Sequence, residues 1–200
     1  MTASVTVLSG PSGVGKGTVV AALLREHPEI WVSTSVTTRP PRPGEVHGVS
    51  YYFVTEAEFD DLVATDALLE WAVVHGRHRY GTPRLGVEQA VASGRCVLLE
   101  LDLSGARQVR VALPSARQVF LLPPTREELE RRLRGRATET AEAVARRLRT
   151  ADEELAAASE FDVSVVNVDV ADTVRQLVQL LGLGPGQSGP PATSQSEGTQ

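Results

Sequence analysis

Near the N-terminus, Gly10-Pro11-Ser12-Gly13-Val14-Gly15-Lys16-Gly17-Thr18 leaves this chain few ways to fold. Glycines at this density let the backbone turn so that successive N–H groups face one side, and a helix that follows adds the partial positive charge of its N-terminus. Together they form a nest for phosphate oxygens. The nest requires a strand before it and a helix after it. Residues 3–9 read as a strand with Val5, Val7 and Leu8 apolar, and residues 18–26 read as a helix with Val19, Val20, Leu23 and Leu24 on one face. Of 20 basic residues Lys16 alone is lysine. A compact ammonium on a flexible stem fits among backbone amides around phosphates, where the broad guanidinium fork of arginine does not.

The remaining composition narrows the setting. Two hundred residues at 42% hydrophobic build one domain with a sizeable core. A net charge of -5 and a pI near 5.4 argue against a nucleic-acid partner, which needs a broad basic surface, so the arginine clusters serve small anions. The single cysteine, Cys96, has no intramolecular disulfide partner and reads as a buried strand residue suited to a reducing compartment. There is no secretory leader pattern and no run of about 18 apolar residues, so the expectation is a cytoplasmic protein with no membrane partner.

Strand-like and helical runs then alternate: 95–102 with 105–112, 118–122 with 126–134, and 163–167 with 171–181. This is the signature of an α/β fold with a parallel central sheet flanked by helices. Thr55 with Glu58 and Thr125 with Glu128 are capping boxes that mark two helix starts. Residues 31–83 break the alternation with short β-like pieces at 31–36, 51–54 and 68–74 around a helix at 56–64, and so read as an inserted small β-rich subdomain. The polar segment 135–140 between two arginine-laden helices reads as a lid, spanning about 135–150. Residues 182–200 are rich in Gly, Pro, Ser and Gln and read as a disordered tail on a domain of residues 1–181.

Two further stretches carry chemistry. The apolar run Val97-Leu98-Leu99 ends in Glu100-Leu101-Asp102, acids where phosphoryl transfer needs them beside a magnesium ion and an acceptor. Taken alone, it also reads as a strand that ends in a helix-capping acid. The proline-stiffened segment 35–45 holds Arg39 and Arg42 three positions apart, a pair suited to clamping one phosphate, with hydroxyl donors available from Tyr51 and Tyr80. His75 and His78 have no acidic or cysteine partner at ligand spacing and read as loop residues. A serine-nucleophile elbow at Ser12 would need glycine at Val14.

These stretches, together with Gly48 to Phe53, Leu69-Glu70-Trp71-Ala72, Tyr80-Gly81-Thr82, Gly135 to Thr140 and Val165-Val166-Asn167, resemble the guanylate kinase family of P-loop kinases, in the family order and over residues 4–181. The resemblance implies transfer of the γ-phosphoryl of Mg-ATP to GMP, with dGMP as a further acceptor. It implies a donor site of Gly10, Pro11, Ser12, Gly13, Val14, Gly15, Lys16, Gly17, Thr18, Arg132, Arg136 and Asn167. Its acceptor site would hold the GMP phosphate on Arg39, Arg42, Tyr51 and Tyr80, with Glu45 orienting the arginines, and would face guanine with Ser35, Glu70, Thr82 and Asp102, with Glu100 and Arg147 beside them. Lys16, Arg39, Arg42, Arg136 and Arg147 would act on the reacting groups. Guanine presents N1–H and an exocyclic amine, and an ionised carboxylate such as Glu70 accepts from both. Three positions depart from the family. Gly17 stands where many phosphate loops carry a Ser or Thr ligand of magnesium, which leaves ATP phosphates, waters and Thr18 to hold the ion; Ala137 replaces a lid glycine, and Ser104 a glutamine. Two rivals follow: the same fold acting on another phosphorylated acceptor, and a non-catalytic module that reads phosphopeptides through the acceptor pocket.

Overall fold

A computed structural model describes residues 4–74, 77–134 and 141–183, with side chains in the last stretch from 145. In chain order the elements are β1 (Val5–Ser9), α1 (Lys16–Glu26), β2 (Trp31–Val32), β3 (Val36–Thr37), β4 (Tyr52–Phe53), α2 (Glu56–Ala64), β5 (Leu68–Val74) and β6 (His78–Pro83). They continue with α3 (Arg84–Ala92), β7 (Val97–Glu100), α4 (Leu103–Ala112), β8 (Arg117–Leu122), α5 (Arg126–Arg134), α6 (Ala141–Ala156), β9 (Val163–Val166) and α7 (Val170–Leu180).

The central sheet runs β2-β7-β1-β8-β9 with every pairing parallel. Its strands are apolar on both faces because helices cover both. Val5, Val7, Val97 and Leu99 pack toward Val87 and Val109 on one side, while Leu8, Leu98 and Leu121 pack toward Leu23, Val174 and Leu177 on the other. Each such side chain, fully buried, is worth roughly 1.5–3 kcal/mol of transfer free energy. The second sheet, β4-β3-β6-β5, closes over a small core of Val36, Phe59 and Leu68.

Several expectations change in detail. Trp31–Val32 joins the central sheet, with the Trp31 N–H donating to Cys96 C=O at 2.8 Å, so the insertion's own sheet starts at β3. A two-residue strand carries too little pattern to announce which sheet edge it will meet. β6 was not expected, since His78-Arg79-Tyr80-Gly81-Thr82-Pro83 lacks alternation; pairing with β3 and β5 on either side makes it a strand. Cys96 lies just before β7 and is half-buried, and burial raises its thiol pKa. At Thr55 both halves of the capping box form, whereas at Thr125 the hydroxyl takes the Glu128 N–H at 3.1 Å and the Glu128 carboxylate binds Arg131 and Arg132.

Residues 182 and 183, expected in the tail, instead complete α7. Gly182, at φ 70°, donates to Gln179 C=O, and Leu183 donates to Val178 C=O and is 5% exposed. This is a Schellman termination, in which glycine takes the left-handed turn and the next apolar side chain folds back on the helix. The rest of the expected tail, the segment 135–140 and His75 lie outside the described residues; 141–150 are the first turns of α6.

Candidate active site

Because the central strands are parallel, their C-terminal ends share one edge, where the connections after β1, β7 and β9 converge. The loop after β1 is the segment expected to form a phosphate nest. Gly13 and Gly15 have φ of 84° and 100°, conformations that L side chains rarely adopt. Their lack of a Cβ is also steric: one on Gly13 would stand 2.7 Å from Leu133, and one on Gly15 would stand 2.9 Å from the Asn167 amide nitrogen.

The Val14 carbonyl accepts from Asn167 Nδ2 at 2.8 Å and from Arg132 Nη1 at 3.0 Å. Asn167 is 3% exposed and also accepts from Thr173 Oγ1. Asn167 and Arg132 thus hold the loop by its carbonyl side, and both line a cavity of about 420 Å³ with Pro11, Gly13, Gly15, Lys16 and Thr18. Lys16 Nζ bonds the carbonyls of Gly10 and Pro11. Burial pulls its pKa below the ordinary lysine range, and the charges of Glu154, Glu100 and Asp102 oppose that.

Sequence reasoning missed Glu154. It accepts the Ser12 N–H at 2.9 Å, while Arg147 Nη2 donates to Ser12 Oγ at 3.2 Å. The two α6 side chains are seven positions apart, two helical turns on one face, and that spacing behind the arginine was the signal available. A carboxylate oxygen on a loop N–H takes a place that suits a phosphate oxygen. Burial raises the Glu154 pKa, with the Ser12 N–H and Lys16 opposing.

In the insertion, Arg39 is 9% exposed and its guanidinium is held from several directions. It pairs with Glu45 through two 2.9 Å bonds, donates to Tyr80 Oη at 3.0 Å and to Pro40 C=O at 2.7 Å, and lies 5.3 Å from the centre of the Tyr51 ring. Glu45 also takes the Arg42 N–H at 2.7 Å, so one carboxylate aligns the arginine loop at both ends. The Arg39 bonds, followed by the Arg42 N–H, hold Glu45 below the usual carboxylate range. The Arg42 side chain is exposed.

Glu70, third in β5, is a buried charge and not one on the rim of its strand. It is 7% exposed, accepts from Thr82 Oγ1 at 2.6 Å, and has its pKa raised to about 7 by burial and by the charge of Asp102, against the Thr82 bond. Asp102 caps α4 by accepting the Gly105 N–H at 2.8 Å. The capping reading of this acid therefore holds. Ser35 precedes β3 and gives its carbonyl to the Tyr52 N–H at 2.9 Å. Glu100 comes to 3.9 Å from where a Gly17 side chain would begin, and Asp102, two residues on, caps the helix whose Gly105 packs against Glu70, so the glycine loop and Glu70 are neighbours.

Among the described residues no group of three or more His, Cys, Asp or Glu side chains could encage a metal. What the cleft provides suits a hydrated magnesium carried by phosphates: exposed Thr18 and the carboxylates of Glu100 and Asp102. Glu100 Oε1 lies 3.9 Å from where a Gly17 side chain would begin, and burial raises its pKa against the pull of Lys16. Arg136 lies outside the described residues.

The guanylate kinase family model matches residues 2–182. The chain is 61% identical to guanylate kinase of Cutibacterium acnes, over 90% of each chain, and 61% identical to that of Thermobifida fusca, over 88% of this chain and 89% of the relative. The crystal structure of guanylate kinase from Anaplasma phagocytophilum superposes with a TM-score of 0.72 at 33% identity, covering 90% of this chain and 85% of that one.

Proposed function

The chain belongs to the guanylate kinase family and is an ATP:GMP phosphotransferase, and on that premise we propose how its residues divide the work. The backbone N–H groups of the loop Gly10 to Thr18, to which Pro11 adds none, and the Lys16 ammonium hold the ATP phosphates, with Arg132 and Asn167 keeping the loop in shape. Arg39, Arg42, Tyr51 and Tyr80 hold the GMP phosphate, aligned by Glu45. Glu70 takes the paired donors of guanine, with Ser35, Thr82, Glu100 and Asp102 around the base. A phosphate oxygen of GMP attacks the γ-phosphorus in line, the bond to the β–γ bridging oxygen breaks, and ADP leaves. No side-chain nucleophile is needed, and catalysis is positioning and charge stabilisation. Arg147 and Arg136 act where charge spreads over the transferring group. Magnesium, bound with ATP and reached through waters by Glu100, Asp102 and Thr18, would neutralise the donor phosphates. In this account the insertion is the acceptor subdomain, residues of about 135–150 form the lid, and the reaction takes place in the cytoplasm.

The observation that carries this reading is the adjacency of the two groups of residues: Glu100 reaches to 3.9 Å from where a Gly17 side chain would begin, and two residues on, Asp102 caps the helix whose Gly105 stands against Glu70. A coupled assay of ADP release tests it. Release is expected with GMP and dGMP, and with AMP at about 10⁴-fold lower kcat/KM, because AMP sets an acceptor against the Glu70 carboxylate. Equal release with AMP, or none with GMP, would overturn the reading; silence with every acceptor is what a phosphopeptide-binding module would give.

The Arg39–Glu45 pair gives a second expected result. Glu45→Gln keeps an acceptor but removes the charge that fixes the guanidinium, so the KM for GMP should rise about tenfold while the KM for ATP stays level. Steady-state kinetics with each substrate varied in turn would show it.

A further inference from the structure

β5 is the outer strand of the insertion sheet, and an outer strand leaves a row of N–H and C=O groups without a neighbouring strand. At Trp71 that row is filled from the central domain. The Trp71 N–H donates to Gln108 Oε1 at 3.1 Å, and Gln108 Nε2 donates back to the Trp71 carbonyl at 2.8 Å. A primary amide offers one acceptor and one donor side by side, as a peptide unit of a paired strand does, so the α4 side chain stands in for one residue of a missing strand. Ser104, one turn earlier on α4, also faces this amide, with its carbonyl and hydroxyl oxygens each 3.4 Å from Gln108 Nε2.

The position along β5 gives the pairing its consequence. Trp71 directly follows Glu70, so holding the Trp71 peptide holds the Cα from which the Glu70 carboxylate projects to the other face. Asp102, Gly105 and Gln108 succeed one another at three-residue steps along the start of α4. Gly105 comes so close to Glu70 that a Cβ there would stand 2.8 Å from Oε2, and Asp102 adds its charge to the same carboxylate. The Trp71 pairing therefore closes a joint in which α4 meets the edge of β5 beside Glu70.

We propose that Gln108 is a positioning and specificity-determining residue for the base: its amide completes the edge of β5 and holds Glu70 against the start of α4. The proposal rests on the reading of Glu70 as the carboxylate that takes the paired donors of guanine. Gln108 itself does not touch the nucleotide.

The test compares GMP with IMP, whose base lacks the exocyclic amine and so meets Glu70 with one donor instead of two. Steady-state kinetics would be run on the full chain, on Gln108→Met, which keeps the side-chain length without the hydrogen bonds, on Gln108→Ala, and on Glu70→Gln. In both Gln108 variants the preference for GMP over IMP is expected to fall about tenfold, through the KM of the monophosphate, with the KM for ATP unchanged. Retention of the full preference by Gln108→Met, or equal loss of activity toward both monophosphates, would overturn the proposal, the latter because a merely structural role lowers both alike. Glu70→Gln separates the two levels. If it abolishes the preference while the Gln108 variants keep it, the role of Gln108 falls and that of Glu70 stands. If it also keeps the preference, the reading of Glu70 fails and this proposal with it.

Discussion

Lys16→Arg preserves the charge of the donor cradle and should still lower kcat/KM with Mg-ATP and GMP by about 10²- to 10³-fold, the scale of losing one preorganised donor from a reacting site. Shape is the reason. The ammonium sits on the Gly10 and Pro11 carbonyls, in a loop that Leu133 and Asn167 press so closely that a Cβ on Gly13 or Gly15 would clash with them. A planar guanidinium needs several times the room of an ammonium and presents its donors in a fixed fork. The loop must open to admit it, and its N–H groups then no longer converge. Retention of activity to within tenfold would remove the argument that this position requires lysine. Calorimetric titration with ADP adds a second readout, since a distorted nest should also weaken binding of the product. The other 19 basic residues are arginines, so the contrast also asks whether the lone lysine marks a physical requirement.

The second large effect belongs to Glu70. Glu70→Gln replaces an acceptor-only group by an amide whose NH₂ opposes one of the two guanine donors, and kcat/KM for GMP should fall about a hundredfold to a thousandfold. The pH dependence makes the test specific. Burial raises the Glu70 pKa to about 7, and the ionised form is the one that accepts from guanine. In the wild type kcat/KM for GMP should therefore fall as pH drops through about 7, and Glu70→Gln should lack that limb. Titration of the GMP phosphate itself is common to both proteins and cancels in the comparison.

Stability moves the other way. A carboxyl whose folded pKa lies above its unfolded value of 4.5 binds more proton in the native state between those two values, so native stability declines as pH rises from about 4.5 to 7. By pH 8 the cost is on the order of 3 kcal/mol. Glu70→Gln should thus raise the melting temperature at pH 8 by more than at pH 5 while it removes activity. A variant that loses both activity and stability at pH 8 would mean that the carboxylate is held for the fold rather than for the base.

Much of the architecture was legible because its causes are local. The starts of α2 and α5 match the reading residue for residue, since an N-cap threonine and the glutamate three positions on determine where a helix starts. The nest between β1 and α1 was legible for the same reason, since its turns depend on its own glycines. Where partners lie far along the chain the reading went astray. Trp31–Val32 takes its place from Val97 and Leu98, and His78–Pro83 becomes a strand only because neighbours on both sides present their edges. Glu154 meets Ser12 across 142 positions, and Gln108 meets Trp71 across 37.

By itself, then, the order of residues determined a strand, a phosphate nest and a helix, the alternation that yields a parallel sheet, and the family. All of these follow from backbone geometry and periodicity within a few turns of chain. Tertiary structure alone decided that Glu70 is buried beside Asp102, that a glutamate rests on the nest, and that a glutamine side chain closes the edge of β5. Burial and cross-chain hydrogen bonding depend on which surfaces meet, and distant segments meet only when the whole core is formed.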